Sequence, residues 1–566
     1  MLDKAKKGVK FKMEKQKNEK IIIIILLALA FAVRIWGIGF GLPEIYSTDE
    51  WFEVKRALKL GALSFDFDRV AKGWFYYLLF FEYGIYYGLL KIFGTVKNSG
   101  EFLFKILYDP TEIWLLGRVS SAIIGTINCY LIYKIGKTLK NRVAGIFGAL
   151  FLVFNLIHVQ SSHIISVDIP LVFFISIAIL MLAKEGEKLK NSHYTVLGIV
   201  MAFATMSKIS ALAFFPPLIL YLYLENKTKL RFIENINKVF IFLISFIVCY
   251  LVGNPGIIFT FKKIFLWGTT FLVPGTGSST PEFPISYFNS KFSFYIKTLL
   301  PAKSLLTLFF IFPGIFWFHK NYRNKNIIFL MYLILHFLFL SFSKSEEHVY
   351  ARYLMPILPI ICLYFGVGFA YVAEIYGRYK IKESFIYFLA ICSLFPSAAD
   401  SLKHDYRLNL KDTRDIGKEW VFKNISKDDT IAIEGTGYAT SNSTIQLKLN
   451  PEFFEKYFLS GESSGENKDT FYKTILKVNS SQKNFRLIFT SKEEELKWAI
   501  EKDIVDYVII RKKTMDTFKF EGNRKNFPEF YSLIREIENK KFQIIERFEP
   551  TKKITGPEIY IYKRLR

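Results

Sequence analysis

A pair of adjacent carboxylates, Asp49 and Glu50, lies shortly after the first apolar run of the sequence. Two acidic side chains just outside a membrane helix can act as a general base or as ligands of a divalent cation. The same stretch also suits a helix start, with Thr48 or Asp49 as the cap of a helix that runs through Leu60. The pair is therefore a candidate site for proton removal, with helix capping as the alternative.

A second polar motif joins two apolar runs and contains His158, His163 and Asp168. Asp168 precedes Pro170, which suits the first turn of a helix, so the pattern predicts Asp168 at the mouth of a membrane span. Ionisable groups at membrane depth are costly and usually functional, although Asp168 could also cap a helix at the membrane surface. The histidines suit an interfacial position equally well, and the stretch has no HExxH pattern that would favour zinc.

Isolated basic residues lie near or inside other apolar runs. Lys208 separates two runs, Arg352 and Tyr353 open another, and Arg118 lies inside the second run. A cation at the outer membrane face suits a lipid phosphate, and arginine offers a bidentate fork for it. The alternative is that these side chains snorkel to the lipid headgroups, which is the behaviour expected of Arg34.

The elements that must position these motifs are apolar runs of 12–20 residues. With their flanks the runs approach the ~20 residues that cross the hydrocarbon core. Although the chain of 566 residues has a net charge of +25, 51% of it is hydrophobic. We therefore predict a polytopic α-helical membrane protein through about residue 398, with eleven transmembrane helices. The predicted spans contain Ile21–Ala32, Leu115–Tyr133, Val143–Ile157, Ile169–Ala183, Thr195–Met206, Ile209–Leu224, Val239–Val252, Ser304–Phe318, Ile327–Phe342, Tyr353–Val372 and Ser384–Phe395.

The distribution of basic residues predicts the topology. Six segments on one side total 72 residues and hold 25 Lys and Arg, whereas the later loops on the other side hold 8 in 69 residues. Because cytoplasmic loops are enriched in basic residues, residues 1–20 are predicted to be cytoplasmic and loop 42–112 to be outside, within a transmembrane region over 21–398. This topology makes Trp74–Gly94 an interfacial helix, which suits its tyrosines. The alternative is that Trp74–Gly94 spans the membrane, which would reverse every later loop.

Residues 399–566 have a different composition, with 32 basic and 27 acidic residues and no apolar run long enough to span a membrane. We predict a soluble, extracytoplasmic α/β domain there. The four cysteines, Cys129, Cys249, Cys362 and Cys392, lie in predicted spans, so this domain needs no disulfide. The predicted elements are helices over Thr413–Asn424, capped by Asp412, and Lys492–Lys502, with strands over Thr430–Glu434, Asp506–Ile510, Phe542–Ile545 and Glu558–Tyr562.

In their order along the chain, the motifs resemble the protein O-mannosyltransferase-like glycosyltransferases, family 39 of the GT-C class, in a bacterial-type form. The resemblance covers roughly residues 20–400, and the ordered set is more specific than any one motif. The motifs are Thr48-Asp49-Glu50, Gly117-Arg118-Val119-Ser120-Ser121, His158-Val159-Gln160-Ser161-Ser162-His163, Val167-Asp168-Ile169-Pro170, Ser207-Lys208-Ile209-Ser210, Asn254-Pro255-Gly256 and Arg352-Tyr353-Leu354-Met355-Pro356-Ile357-Leu358-Pro359.

The resemblance implies a GT-C fold and a specific chemistry. A hexose, possibly mannose, or another sugar on a polyprenyl or dolichyl phosphate would pass to an acceptor hydroxyl on the outer face of the cell membrane. A single displacement would invert the anomeric centre. The acceptor can be a protein, a glycan or a lipid. The implied roles are Asp49 as base, Glu50 as an orienting group, Asp168 as the second site carboxylate, Lys208 and Arg352 as phosphate ligands with His163 nearby, and Tyr353 and Arg118 as further residues of the substrate site.

Other chemistries find less support in the sequence. There is no P-loop or Gly-rich nucleotide fingerprint, and the basic residues line membrane loops, which disfavours nucleic-acid binding. A bound Mg²⁺ or Mn²⁺ stays open, with Asp49 and Asp168 as its ligands if one is used. The main alternative function is a transporter or flippase of lipid-linked or anionic substrates, for which an internal repeat would be expected and none is found. A receptor-like protein that binds a partner through 399–566 is the third possibility.

Overall fold

The structure, a computed structural model, divides into two compact units. One unit comprises residues 1–38, 52–82 and 116–405, and the other comprises 39–51, 83–115 and 406–566. They are called the helical unit and the mixed unit below. The residues described are 2–61, 73–184, 191–224, 232–254, 285–299, 305–342, 350–378, 383–436, 439–441, 443–450, 474, 477–518 and 528–565.

Helices make up the first 408 residues of the described chain, apart from short connections. The helices are α1 (Leu2–Ile35), α2 (Thr48–Gly61), α3 (Trp74–Ile92), α4 (Ser99–Tyr108), α5 (Thr111–Leu139), α6 (Arg142–Val153), α7 (Leu156–Ser162), α8 (Asp168–Ala183), α9 (Asn191–Ser207), α10 (Phe215–Leu224), α11 (Phe232–Gly253), α12 (Ile285–Leu299), α13 (Leu305–Asn321), α14 (Arg323–Phe342), α15 (Leu358–Arg378) and α16 (Glu383–Leu408). Two 3₁₀ helices, Ile209–Phe214 and Ala351–Ile357, precede α10 and α15.

Several of these helices can cross a bilayer. Within the described residues, five are long and apolar enough: Thr111–Leu139, Ile236–Gly253, Arg323–Ser341, Ala351–Gly377 and Ser384–Leu408. The bent pair α6–α7 would make a sixth. The protein is therefore a multi-pass membrane protein. The number of eleven spans stays a prediction, because shorter apolar helices such as α8 and residues outside the described part also belong to the predicted set.

Breaks in three apolar segments place polar groups at helix ends. The run predicted as one span over Val143–Ile157 bends by 63° between α6 and α7. Asn155 caps α7 there by accepting a hydrogen bond from the His158 amide. The two 3₁₀ helices make the other breaks, which follow α9 and precede α15. Each break frees backbone groups that side chains must then satisfy.

Glycines allow three helices to pack with their backbones in contact. A Cβ on Gly368 of α15 would collide with the carbonyl oxygen of Phe310 on α13, and one on Gly314 of α13 would collide with that of Tyr364. On another face of α15, a Cβ on Gly366 would meet the carbonyl of Ala144 on α6. Such close approach increases dispersion contact in a bundle that gains little from hydrophobic burial between helices.

The last helix of the helical unit continues past the predicted end of the transmembrane region. Helix α16 runs from Glu383 to Leu408 and contains Pro396, so the expected boundary between residues 398 and 399 falls inside it. Along the chain, the boundary between the helical unit and the mixed unit falls between Asp405 and Tyr406. The end of this helix carries His404 and Asp405, which the sequence assigned to the soluble domain.

Helix α3 covers the segment Trp74–Gly94, whose crossing of the membrane decides the topology. It is not among the five long apolar helices found in the described residues. Phe75, Tyr76, Leu79 and Tyr83 are buried, whereas side chains such as Phe81 are exposed. A helix with one buried and one exposed apolar face suits an interfacial position, which remains a prediction.

The C-terminal part of the mixed unit is built on one six-stranded sheet. Its elements are β1 (Lys411–Asp412), α17 (Thr413–Asn424), β2 (Thr430–Ile433), β3 (Gly435–Thr436), β4 (Ala439–Thr440), β5 (Lys448–Leu449), β6 (Asn484–Phe489), α18 (Glu493–Glu501), β7 (Tyr507–Arg511), α19 (Lys512–Phe518), α20 (Pro528–Glu538), β8 (Phe542–Phe548), β9 (Ile554–Thr555) and β10 (Ile559–Arg564). The strand order is β5-β6-β2-β7-β10-β8. Strands β5, β6, β2 and β7 are parallel to one another, and β10 runs antiparallel to both of its neighbours, β7 and β8.

Alternating side chains cover both faces of this sheet with apolar groups. Ile431 and Ile433 of β2 join a cluster that includes Val421 of α17, and Ala432 joins a cluster that includes Leu496 of α18. A parallel strand covered on both faces is expected to be wholly apolar, and all four residues of β2 are buried. The α/β domain predicted from sequence is confirmed, including helix α17 and its cap Asp412, whose carboxylate accepts a hydrogen bond from the Arg414 amide.

Candidate active site

An ion pair between Asp168 and Lys208 lies at the meeting of two helix ends in the helical unit. The Asp168 carboxylate lies 2.6 Å from the Lys208 ammonium. Asp168 is the first residue of α8, as predicted, and Lys208 follows α9 in an extended conformation. Asp168 does not cap α8, because the cap position is Val167 and the Asp168 amide instead donates to the Ser166 hydroxyl. The capping alternative is therefore wrong, and the carboxylate serves the ion pair.

The second 3₁₀ helix brings Tyr353 and Arg352 to this region. The Lys208 ammonium lies 4.5 Å from the centre of the Tyr353 ring, and the Arg352 guanidinium lies 4.7 Å from that of Tyr350. His336 of α14 fixes the backbone here through a 2.8 Å hydrogen bond between its Nε2 atom and the Tyr353 carbonyl. Each of the two cations thus lies against an aromatic ring, and Lys208 is also paired with the carboxylate at the start of α8.

His163 lies in a buried polar cluster with His404 and Asp405. Its Nδ1 atom is 2.9 Å from the Val159 carbonyl, and its Nε2 atom is 3.0 Å from the Trp36 carbonyl. The Asp405 carboxylate lies 3.5 Å from the same Nε2 atom, and the His404 ring packs edge-on against His163. Burial lowers the pKa of His163, whereas its two backbone contacts oppose this shift. His163 is 1% exposed and therefore buried inside the protein, and its depth relative to the membrane interface stays a prediction.

The arginines expected at the lipid headgroups are buried. Arg34 is 0% exposed, and its guanidinium donates to the carbonyls of Ala30 and Leu152 and faces His158. The prediction that the Arg34 side chain snorkels to the lipid headgroups is therefore wrong. Arg118 is also 0% exposed and donates a 2.7 Å hydrogen bond to the Ile38 carbonyl. Both side chains stabilise chain breaks by satisfying carbonyl groups that helices leave open.

Asp49 and Glu50 belong to the mixed unit and occupy the first turn of α2. The Asp49 side chain is exposed, whereas Glu50 is 0% exposed. Next to them, Trp51 stacks on Trp114 with ring centres 5.8 Å apart. Adjacent carboxylates in one turn therefore face different environments, which suits different tasks.

The segment before Asp49 is held by helix α17. The Tyr46 hydroxyl donates a hydrogen bond to the Asp415 carboxylate, and Lys418 pairs with Glu44. The Arg414 guanidinium lies 3.4 Å from the centre of the Tyr46 ring. Burial raises the pKa of Asp415, although its hydrogen bond from Tyr46 acts in the opposite direction. Burial and the Asp415 carboxylate likewise raise the pKa of Tyr46, which keeps its hydroxyl protonated as a donor.

Sequence reasoning missed two groups of residues. His404 and Asp405 looked like surface residues of a soluble domain, yet Asp405 is 0% exposed on the end of α16. A sequence signal for this position was the helical pattern that continues past Pro396, which would have placed His404 and Asp405 on the same helix as the last apolar run. The Tyr46–Asp415 contact joins residues 369 positions apart, and neither residue has a local pattern that reveals it.

Comparisons with known proteins support the resemblance. Residues 111–266 match the family model described as dolichyl-phosphate-mannose-protein mannosyltransferase, and this range contains Arg118, His163, Asp168 and Lys208. The match confirms the expected resemblance over that part of the chain. The comparison with curated protein sequences gave no significant match.

Three solved structures align with most of this chain. The apo oligosaccharyltransferase of Archaeoglobus fulgidus aligns over 93% of this chain and 73% of its own, with a TM-score of 0.50 and 11% identity. ArnT from Cupriavidus metallidurans, bound to undecaprenyl phosphate, aligns over 96% of this chain and 97% of its own (TM-score 0.49, 10% identity). The arabinofuranosyltransferase AftD from Mycobacteria aligns over 97% of this chain and 41% of its own (TM-score 0.43, 11% identity). The alignment with the oligosaccharyltransferase, at a TM-score of 0.50, confirms the predicted GT-C fold, and the six-stranded sheet confirms the C-terminal α/β region.

Proposed function

We propose that this protein is an integral-membrane glycosyltransferase that moves a sugar from a polyprenyl or dolichyl phosphate to an acceptor hydroxyl. The observation that carries the proposal is the Lys208 ammonium, held between the Asp168 carboxylate and the Tyr353 ring. Asp168 and Lys208 lie inside the region that matches a family named for mannosyl transfer from dolichyl phosphate. A fixed cation among helix ends is what a phosphate leaving group requires.

Lys208 and Arg352 bind the lipid phosphate in this proposal. Asp168 orients the Lys208 ammonium, and the N-terminus of α8 adds a partial positive charge. As the bond between sugar and phosphate breaks, negative charge grows on the phosphate, and both cations stabilise it. Asp168 also supplies the second carboxylate, close to the positive charge that develops on the sugar. Arg118 and His163, which contact backbone carbonyls, support the surrounding loops.

Asp49 is the base that removes the proton of the acceptor hydroxyl. Its exposed side chain is accessible to an acceptor from solution, whereas the buried Glu50 suits an orienting role. The acceptor oxygen attacks the anomeric carbon as the phosphate leaves, so one displacement inverts that centre. Mannose is the sugar that the matched family name suggests, and the acceptor class is left to experiment.

A divalent cation would bind Asp49 or Asp168 if the reaction uses one. One oxygen of Asp168 already contacts the Lys208 ammonium, so the chain itself supplies a positive charge there. Mg²⁺ or Mn²⁺ would add charge neutralisation at the phosphate. The effect of EDTA on transfer, with Mg²⁺ or Mn²⁺ added back, tests this point.

The proposed reaction takes place on the extracytoplasmic side of the cell membrane. The proposal places residues 1–20 in the cytoplasm, because the loops on their side hold 25 of the basic residues in 72 positions. Loop 42–112 and the C-terminal domain then lie outside, where a polyprenyl-phosphate sugar can be used without a nucleotide sugar.

Transfer by the Asp49→Asn variant tests the proposal. Membranes containing the full chain are supplied with radiolabelled polyprenyl-phosphate mannose, and the label in protein, glycan and lipid fractions is measured. We expect loss of most transfer, because removal of a catalytic base typically costs about 10²–10⁴-fold in rate. Glu101→Gln, at an exposed residue in the first turn of helix α4, is the matched control and should retain activity.

Two results would count against the proposal. Undiminished transfer by Asp49→Asn would remove the assigned base. Absence of transfer by the unmodified protein, together with movement of the intact lipid-linked sugar across the membrane, would favour a flippase instead.

A further inference from the structure

The cluster of His163, His404 and Asp405 has the chemistry of a zinc site. One ligand atom from each side chain lies within 4.8 Å of the others. Imidazole nitrogens and a carboxylate oxygen are the donors that zinc commonly takes. The three residues come from two places in the helical unit, the C-terminal end of α7 and the end of α16.

The surroundings of His163 favour a cation at its Nε2 atom. The Nδ1 atom lies 2.9 Å from the Val159 carbonyl, so a proton on Nδ1 makes that hydrogen bond and leaves a lone pair on Nε2. This lone pair then faces two oxygen atoms, the Trp36 carbonyl at 3.0 Å and the Asp405 carboxylate at 3.5 Å. With the proton on Nδ1, three electron-rich atoms face one another, and a metal ion between them would offset their repulsion, as a proton on Nε2 would in the other tautomer.

The distances fit a metal ion. Ligand atoms at about 2.0–2.1 Å from a tetrahedral zinc lie about 3.3 Å from one another. The separations of 3.0 and 3.5 Å around Nε2 are close to this value. His404 is partly buried, and its ligand atom lies within 4.8 Å of those of His163 and Asp405, so its side chain must move closer to complete the site. The hydrogen bond from His163 Nδ1 to a backbone carbonyl is the usual support of a zinc-bound histidine.

We propose that His163, His404 and Asp405 bind one Zn²⁺, with the Trp36 carbonyl as a fourth ligand, and that this ion ties α16 to the end of α7. The cluster is separate from the Asp168–Lys208 pair and does not depend on the proposed function. Its effect is structural, since three buried or partly buried ligands and a carbonyl leave no open position for a substrate.

Charge makes Asp405 the most important ligand. Arg34 acts electrostatically on both Asp405 and His163, and Arg118 acts on His163. These buried arginines oppose a further cation, and the Asp405 carboxylate offsets that repulsion. Replacement of Asp405 by asparagine removes a negative charge with little change in shape. We therefore expect Asp405→Asn to weaken zinc binding more than His404→Ala does.

Metal analysis of the purified full-length protein tests the site. The protein carries a purification tag without histidines, is loaded with Zn²⁺ in detergent and is passed over a desalting column. Bound zinc is then measured by mass spectrometry. We expect near-stoichiometric zinc in the unmodified protein, and affinity at least about 10–100-fold weaker in His404→Ala and Asp405→Asn. His193→Ala, at an exposed histidine of α9, should retain zinc.

Cobalt substitution separates a specific site from surface binding. Co²⁺ in a tetrahedral nitrogen and oxygen site should give visible absorption that is absent in Asp405→Asn. Size-exclusion profiles of each variant identify misfolding, and His163→Gln gives a second ligand removal if His404→Ala misfolds. Zinc that desalts away from the unmodified protein, or zinc that both ligand variants retain, would overturn the proposal in favour of a protonated His163 paired with Asp405.

Discussion

At the scale of single residues, Lys208 and Asp168 depend on each other. Asp168 is 2% exposed, and its carboxylate is stabilised by the Lys208 ammonium at 2.6 Å. Removal of one member of a buried ion pair leaves a charge that the interior cannot solvate, whereas removal of both can be nearly neutral. This difference allows the structural and catalytic contributions of the pair to be separated.

Lys208→Met is expected to lower stability and to abolish transfer. The loss of stability should be about 3–5 kcal/mol, because the buried Asp168 carboxylate loses the ammonium that compensates it. The double variant Asp168→Asn/Lys208→Met should regain most of that stability while transfer stays lost, since the phosphate still lacks its cation. Thermal unfolding in detergent and transfer in membranes measure the two effects. Lys184→Ala, at an exposed lysine after α8, is the control.

A double variant that regains transfer along with stability would contradict a role of Lys208 at the phosphate. It would show that the pair serves folding alone.

At the scale of elements, three contacts join helix α17 to the segment before Asp49 within the mixed unit: Tyr46–Asp415, Glu44–Lys418 and Tyr46–Arg414. Arg414 is itself held by the capping residue Asp412, at 2.7 Å. Asp412 lies on β1, which pairs with β9 in a two-stranded sheet. Asp412 therefore links this sheet to Arg414, which lies against the Tyr46 ring. This arrangement predicts that α17 positions the first turn of α2.

Tyr46→Phe is expected to loosen that turn. The variant retains the ring that faces Arg414 but loses the hydrogen bond to Asp415, which is worth about 1 kcal/mol or more. Amide exchange over residues 44–51 should rise, and kcat should fall while KM for the lipid donor changes little. Tyr86→Phe removes an analogous hydroxyl–carboxylate bond, to Glu112, on an exposed surface and is the control. Unchanged exchange in Tyr46→Phe would show that other contacts hold the turn.

Helix packing makes a second prediction at this scale. In Gly368→Ala, the added methyl group collides with the Phe310 carbonyl, which belongs to a rigid helix and cannot rotate away. We expect a loss of about 1–3 kcal/mol, seen as a lower midpoint of thermal unfolding. Gly84→Ala on α3 meets nothing within 4 Å and should be neutral or slightly stabilising. Equal midpoints for the two variants would mean that α13 and α15 can separate without cost.

At the scale of the whole molecule, the charge of +25 predicts orientation. The loops assigned to the cytoplasm hold 25 of the basic residues, and the C-terminal region has nearly balanced charge. Because basic loops remain on the cytoplasmic side, the same pattern predicts on which side of the membrane each loop and the C-terminal region lie. The answer depends on whether Trp74–Gly94 crosses the membrane.

Labelling of single cysteines measures this orientation. In a background with Cys249→Ala and Cys392→Ala, Cys129 and Cys362 remain buried. A membrane-impermeant maleimide should label exposed Ser480→Cys in intact cells or spheroplasts, and should label exposed Ser192→Cys only after permeabilisation. The reverse pattern would mean that Trp74–Gly94 spans the membrane and that the predicted outer loops after it, together with the C-terminal domain, are cytoplasmic.

Properties that depend on local pattern could be predicted from the amino-acid sequence. Apolar runs predict helices, and alternating apolar residues with a capping Asp412 predict α17 and the strands around it, because these signals act over a few neighbouring residues. The start of α8 at Asp168 was likewise predictable from Pro170. Ordered short motifs also sufficed to indicate a GT-C fold.

Only the tertiary structure decided which distant polar groups meet. Arg34 bonds to carbonyls more than a hundred residues away, Asp168 pairs with Lys208 across two helices, and Asp405 lies beside His163. Each of these contacts compensates the cost of a polar group removed from water. That compensation depends on where helices end and cross, which packing of the whole chain decides and local sequence does not encode.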